Sequence, residues 1–431
     1  MSLNMVEFKD YFESNSTNYG ADIAKIRSQS FERFCATGFP NRKTTNWKHS
    51  GVVKWKINNF NTSVDDNLKN ISDKNKSLIK KADILVINGI VKVKSKIVGI
   101  ELYSLLSLQQ QDEKLLSRFM QQSYNDKNFE NCFADYALAS WQDGFFINIT
   151  SNIIADTTLN ILHVNTNDSF KNSFNIINIE SHVRIKLIEN TISVDDSSSW
   201  SNCLQYINLN SNSHLEYNKI NQSNANSICL SSKIVKLSSD ASFKYRQNNF
   251  GAKVVRDEVM LNFNGRDSSA EFTGVSLAKE SSCHNTVLHI NHNSDNCTSK
   301  QKFRAIVADN AEHSFQGQIN VMRGVKSSVA HQDSKSILLG SNSKSNASPF
   351  LEIYADDLVC SHSATIGVLE ESDLFYITSR GIDLTIARYI LLRSFISDVI
   401  HESLGIDLVL ILQSIVKNIC DNILFEQKEY C

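Results

Sequence analysis

Residues 351–367 read Leu-Glu-Ile-Tyr-Ala-Asp-Asp-Leu-Val-Cys-Ser-His-Ser-Ala-Thr-Ile-Gly. An apolar, strand-like start runs into two acids, then a thiol and an imidazole two positions apart. In an extended strand, positions i and i+2 face the same way. Cys360 and His362 are therefore expected side by side, roughly 7 Å apart by strand rise. That places a soft sulfur and a borderline nitrogen donor on one surface. Two donors do not close a metal site, so the remaining ligands must come from elsewhere in the chain or from a partner.

A second group of such residues is Cys283, His284, His289, His292 and Cys297. On a strand His284 and His292 share a face and His289 does not, so packing or hydrogen bonding competes with ligation as the reason for them. Of the paired acids, Asp356 and Asp357 would point to opposite faces of a strand. Asp195-Asp196 and Glu370-Glu371 read as solvated corners or caps. The sequence has no GxxxxGK[ST], GxGxxG after a strand, GxSxG or HExxH pattern. Its nine cysteines form no CxxC pair, which argues against a zinc finger and against a disulfide framework. Cys35, Cys132, Cys203, Cys229, Cys420 and Cys431 are expected to be packing residues without a chemical role.

The chain has 431 residues, enough for a large core and more than one domain. A formal net charge of -2 gives no overall pull toward nucleic acid or an anionic membrane. No apolar run reaches the roughly 18 residues that span a bilayer. The first residues hold acids and no apolar signal segment, so a cytoplasmic location is expected.

Three regions differ in periodicity. Residues 1–130 mix helical and extended signals. Residues 22–34 predict a helix with Ile23, Ile26 and Phe34 in register, closed by Gly38-Phe39-Pro40, and residues 102–122 also read as helical. Residues 131–365 carry short β-branched and aliphatic runs, including 145–149, 159–164, 204–209, 228–235 and 254–263. Asn, Ser, Asp and Gly separate them. No long amphipathic helix interrupts the series and no blade repeat is visible, so a β-helix with polar corners is preferred over a sandwich or a propeller. Residues 366–431 read as helical. Asp383 caps a helix that carries Leu384, Ala387, Leu391, Phe395 and Val399, and Gly405 and Asp407 precede a last one. The apolar face of these helices can pack on the strand region or receive a partner protein.

Residues 350–367 closely resemble the SufD branch of the SufB/SufD family of iron–sulfur cluster assembly. Residues 374–382, Ala387-Arg388, Gly38 through Lys43, Asn46-Trp47-Lys48, Asp143-Gly144, 315–319 and Gln332 agree in order. Thr45 departs from the family pattern where an acid is usual. Ser363 departs where Gly is usual, and would be strained if the backbone there needed a positive φ.

The resemblance implies a right-handed parallel β-helix flanked by helical regions, and a non-catalytic scaffold. It implies pairing with SufB, with self-pairing possible in isolation, and docking of the SufC ATPase on the helix that carries Asp383, Leu384, Ala387, Arg388, Leu391 and Phe395. Cys360 and His362 are then candidates for iron, cluster or sulfur handling at the SufB interface, where a lowered thiol pKa would help. Glu352, Tyr354, Asp356 and Asp357 are candidates for the same interface. No stably bound cofactor is implied, only transient iron or a cluster shared with SufB. A β-helix carbohydrate enzyme, or the SufB-like member of the same system, is the alternative.

Overall fold

The structure is a computed structural model that describes residues 5–14, 19–41, 43–48, 50, 73–127, 130–154, 156–166, 169–400, 414, 416 and 417. Of the expected last helix, residues 414, 416 and 417 are described and are helical; the rest of it, with Gly405 and Asp407 before it, and Cys420 and Cys431 lie outside the described residues.

The chain winds as a parallel β-solenoid. Successive strands alternate between two sheets, so each strand pairs in parallel with the strand two steps ahead. Val254–Phe263 lies beside Cys283–His292, with Val254 opposite Cys283, and Cys283–His292 lies beside Glu312–Val321. The apolar alternation that marks these strands follows from this geometry, because every second residue faces the space between the sheets. One continuous core fills that space, with Ile177, Ile207, Val235, Leu261 and Ile290 from one sheet and Leu187, Tyr217, Tyr245 and Phe272 from the other.

Polar residues at the corners have two jobs. Asn212, Asp240, Asp267, Asn296 and Asp309 adopt φ between 54° and 59°, a left-handed conformation that Asn and Asp tolerate better than other non-glycine residues. Asparagines in register then stack from rung to rung. Asn208 Nδ2 donates to Asn178 Oδ1 at 2.8 Å, and Asn320 Nδ2 donates to Asn291 Oδ1 at 2.8 Å. These ladders satisfy amide groups that the solenoid would otherwise bury unpaired.

The strands His214–Gln222, Ser242–Asn249, Ser269–Ala278 and Glu312–Val321 escape the sequence reading. Their inward faces mix apolar and polar residues, as in Tyr217, Lys219 and Asn221, and break the apolar run. Residues 102–122 also divide differently from expectation. Residues 102–104 belong to the strand Ile100–Ser104, which pairs antiparallel with Phe145–Ile149, and helices Leu105–Gln111 and Glu113–Asp126 follow. The side chain of Asp112 accepts from Leu115 N and starts the second of these helices.

Helices cover the outer faces. Leu105, Leu116, Phe119, Ala134 and Ala137 pack on Phe174, Leu204, Tyr206 and Met260 of one sheet. Helix Ala21–Thr37, the predicted one, and helix Cys132–Ser140 belong to this layer. On the other sheet, Leu392 and Ile396 of helix Leu384–Ser397, followed by Val399, pack against Ile220, Phe250, Leu277 and Ile306. Asp383 caps that helix by accepting from Thr385 N at 2.8 Å, as its position in the sequence predicts. Before it, helix Glu371–Thr378 is followed by Gly381 at φ 80°.

Candidate functional site

Both sheets end at the C-terminal end of the solenoid. Lys344–Ile353 is the last strand of one and Leu358–Gly367 the last strand of the other. Cys360 and His362 sit on the second of these edge strands, opposite Ala330 and Gln332 of strand Ser328–Leu338. Ala330 is fully buried in the inter-sheet core and Cys360 packs against that core, so this side of the strand faces inward. Alternation puts His362 on the same side, one step further along, where it is exposed and no described rung covers it.

A column of inward-facing residues lies beneath the imidazole. Phe272, Gln301, Gln332 and His362 are in register through successive rungs. Gln332 Nε2 donates to Gln301 Oε1 at 2.6 Å. Gln332 Oε1 and Gln301 Nε2 are buried without partners. Gly317 makes room for this pair, since a Cβ there would collide with the Gln332 amide. In the sequence alone Gln332 and residues 315–319 carry no visible role. Only the rung-to-rung register shows that they form the floor under His362.

Burial pushes the Cys360 thiol above its ordinary pKa, and a backbone hydrogen bond from Ala330 offsets this only partly. The lowering that would help sulfur or metal handling is not provided by the described residues around it. Unliganded Cys360 is a neutral thiol, because apolar core rather than a cation lies against it. Asp357 accepts from Ser327 N at 3.1 Å and Ser327 Oγ at 3.0 Å, which makes it a corner clamp, while Asp356 is exposed. Glu352 lies on the other edge strand and Tyr354 just beyond it, 61% exposed. Ser363 is a strand residue without a positive φ, so the expected strain is absent. Its hydroxyl donates to Asp333 Oδ1 at 2.8 Å.

Asp333 begins a charged chain to the C-terminal helices. Arg304 Nη2 donates to Asp333 Oδ2 and to Asp398 Oδ2, both at 2.7 Å, and Lys302 pairs with Asp398 at 3.0 Å. Burial opposes ionisation of Asp333, but the bonds from Arg304 and Ser363 outweigh it and hold the carboxyl below its ordinary range. Asp398 caps helix Leu384–Ser397 at its C-terminal end. The edge strand and this helix are thus connected by side-chain hydrogen bonds.

The Cys283–Cys297 group does not converge. His284 Nδ1 bonds Ser276 Oγ at 2.8 Å, His289 faces Gln318 and Glu258, and His292 Nε2 bonds Ser299 Oγ at 2.9 Å. Among the described residues, no group of three or more His, Cys, Asp or Glu side chains is placed to hold a metal ion.

Of the six helix residues expected to dock a partner, Ala387 is fully buried and Phe395 packs against the cluster beneath the helix. Asp383 and Leu384 are exposed, and Arg388 and Leu391 half-buried. Ile386, Ile390, Phe375 and Tyr376 add apolar surface that the sequence reading did not single out.

The description "SUF system FeS cluster assembly, SufBD core domain" matches residues 162–395, and "SufBD protein N-terminal region" matches residues 5–161. The chain belongs to the SufB/SufD family. It is 28% identical over 188 residues to the iron-sulfur cluster assembly protein SufD of Escherichia coli (strain K12), covering 44% of each chain. It is 30% identical over 192 residues to protein ABCI7, chloroplastic, of Arabidopsis thaliana, covering 44% of this chain and 40% of that one. An iron-sulfur cluster assembly SufBD family protein of Synechocystis is 29% identical over 157 residues, 36% of this chain and 34% of the other. These alignments span less than half the length of each relative. Within the family the chain is SufD-like.

The family-matching motifs have structural roles here. Asp143 accepts from Val91 N at 3.0 Å and Leu106 N at 3.3 Å, and Gly144 lies so close to Phe174 O that no Cβ fits. Trp47 lies 3.6 Å from the Arg256 guanidinium, which also donates to Asn46 O. These contacts join the N-terminal region to the solenoid.

Proposed function

We propose that this chain is a non-catalytic scaffold that pairs with SufB through the open end of its solenoid and docks the SufC ATPase on its C-terminal helices. The observation that carries this reading is the place of Cys360 and His362. They lie on a strand that no further described strand extends, and exposed Phe350, Tyr354 and Val359 at this end invite a second chain. A partner seated there supplies the ligands that this surface does not. Iron or a nascent cluster is the cargo. His362 offers an exposed nitrogen, and Cys360 loses its proton when a metal binds, as thiol ligands must. The exposed row Leu384, Ile386 and Ile390, beside Phe375 and Tyr376, is the surface offered to SufC, and nucleotide hydrolysis belongs to that partner. Among the described residues no helix is long and apolar enough to cross a membrane, and assembly in the cytoplasm is part of the proposal.

Co-purification with SufB and SufC from the same source, with and without His362→Ala, tests the reading. A ternary complex whose iron and sulfide content falls in the variant supports it. A complex with undiminished loading removes His362 from the site, and failure to form any complex removes the scaffold reading.

A further inference from the structure

One inward-facing column of the solenoid changes character at its C-terminal end. Leu187, Tyr217, Tyr245 and Phe272 fill it in register through four rungs, and Gln301, Gln332 and His362 continue it. Bulky, largely apolar side chains are thus replaced by amides in the two rungs beneath the imidazole.

Side chains in register on these strands meet at hydrogen-bond distance. Gln332 Nε2 donates to Gln301 Oε1 at 2.6 Å. The strands that carry Gln332 and His362 are also joined on their outer face, by His331 Nδ1 with Ser361 Oγ at 2.7 Å and by Ser363 Oγ with Asp333 Oδ1 at 2.8 Å. One rung is therefore the reach of a single hydrogen bond here.

The Gln332 amide is held from two sides. Gln301 takes its N–H, and Gly317 of the facing sheet leaves room for it, since a Cβ there would lie 1.7 Å from Gln332 Nε2. The residue is 2% exposed, and its Oε1 is buried without a hydrogen-bond partner. A buried carbonyl oxygen without a donor is costly. This one is kept in the rung directly beneath an imidazole. A histidine that ligates a metal through one ring nitrogen characteristically donates its other N–H to an oxygen acceptor, which fixes the ring and makes it a better ligand.

We infer that Gln332 is the positioning residue for His362: its Oε1 accepts the N–H of one ring nitrogen and leaves the lone pair of the other for iron. The inference rests on the reading of His362 as an iron or cluster ligand. In the unliganded chain the imidazole is exposed and Oε1 has no donor, so the ring turns onto the amide as the metal seats. Gln332 itself touches no cargo.

The test is a ferrous iron titration of the complex with SufB and SufC. Gln332→Met keeps the side-chain length but removes the acceptor, and should raise the iron concentration for half-loading on the order of 10-fold. Gln332→Glu restores an acceptor, which the otherwise unpartnered Gln301 Nε2 can also bond, and should return that concentration close to wild type. A residue that only packs the end of the core would show equal losses in both variants, and that result overturns the inference. Wild-type iron affinity in Gln332→Met also overturns it. Placed in the His362→Ala background, Gln332→Met should have no further effect, because the amide acts through the imidazole; a full additional loss there overturns the inference. The structure of the iron-loaded wild-type complex is a check that needs no variant. A His362 ring nitrogen within about 3.2 Å of Gln332 Oε1 supports the assignment, and a metal-bound ring turned away from the amide overturns it. Iron loading untouched by His362→Ala is a separate failure, which removes the cluster-site reading itself.

Discussion

Cys360 and His362 share a strand face but not an environment. The thiol is half-buried and neutral, and the imidazole is exposed. His362→Ala should therefore leave the melting temperature within about 1 °C of wild type, since surface substitutions cost within about 0.5 kcal/mol. Cluster loading in the complex should fall at the same time. Equal losses of stability and loading would mean that His362 is structural.

The buried histidines behave oppositely. Burial holds His284 and His292 at about 4 and His313 at about 3, where an unfolded histidine titrates near 6.5. Between those limits the unfolded chain binds more protons, so stability falls as the pH drops from 6.5 toward 4. Each residue contributes up to about 1.4 kcal/mol per pH unit. Urea midpoints at pH 7, 6 and 5 should decline steeply, and less so in His284→Asn. An unchanged slope in that variant would show that His284 is protonated in the folded chain.

At the scale of elements, the bonds from Ser363 through Asp333 and Arg304 to Asp398 tie the edge strand to the helix beneath the proposed SufC surface. Arg304 is 3% exposed and its two carboxylate partners are partly exposed. Arg304→Ala should cost about 2 kcal/mol, less than for a fully buried pair because solvent reaches both acids. Hydrogen exchange should then quicken in strand Leu358–Gly367 and in helix Leu384–Ser397 together. Faster exchange in the helix alone would show that the two are not coupled. Ser363, where the family usually has Gly, supplies the hydroxyl that brings the edge strand into this chain. That role is invisible in sequence, because Asp333 lies a full rung away.

At the scale of the molecule, the solenoid is covered on both faces by helices, and among the described residues no further strand covers its C-terminal end. An isolated chain should self-associate there. Val359→Lys, at a residue 60% exposed on the edge strand, should shift the sedimentation profile toward monomer by charging the edge. A self-association unaffected by that change would place the contact elsewhere.

Much of the fold was legible in the sequence. Runs such as Phe145–Ile149 and Val254–Phe263 are strands at the expected bounds, and polar corner residues mark the turns. Alternation is a local property, set by the two-residue period of an extended chain, so the shared face of Cys360 and His362 could be read without any neighbour. What faces that pair could not. Register between rungs pairs residues about thirty positions apart, as with Gln332 and His362 or Ser363 and Asp333. Nothing within a single strand encodes that offset. The surroundings of the Cys360 thiol and the glutamine floor both arise from it. The sequence by itself determined which residues turn inward. The winding of the solenoid decided which of them meet, because side chains from separate rungs become neighbours only once the rungs are stacked.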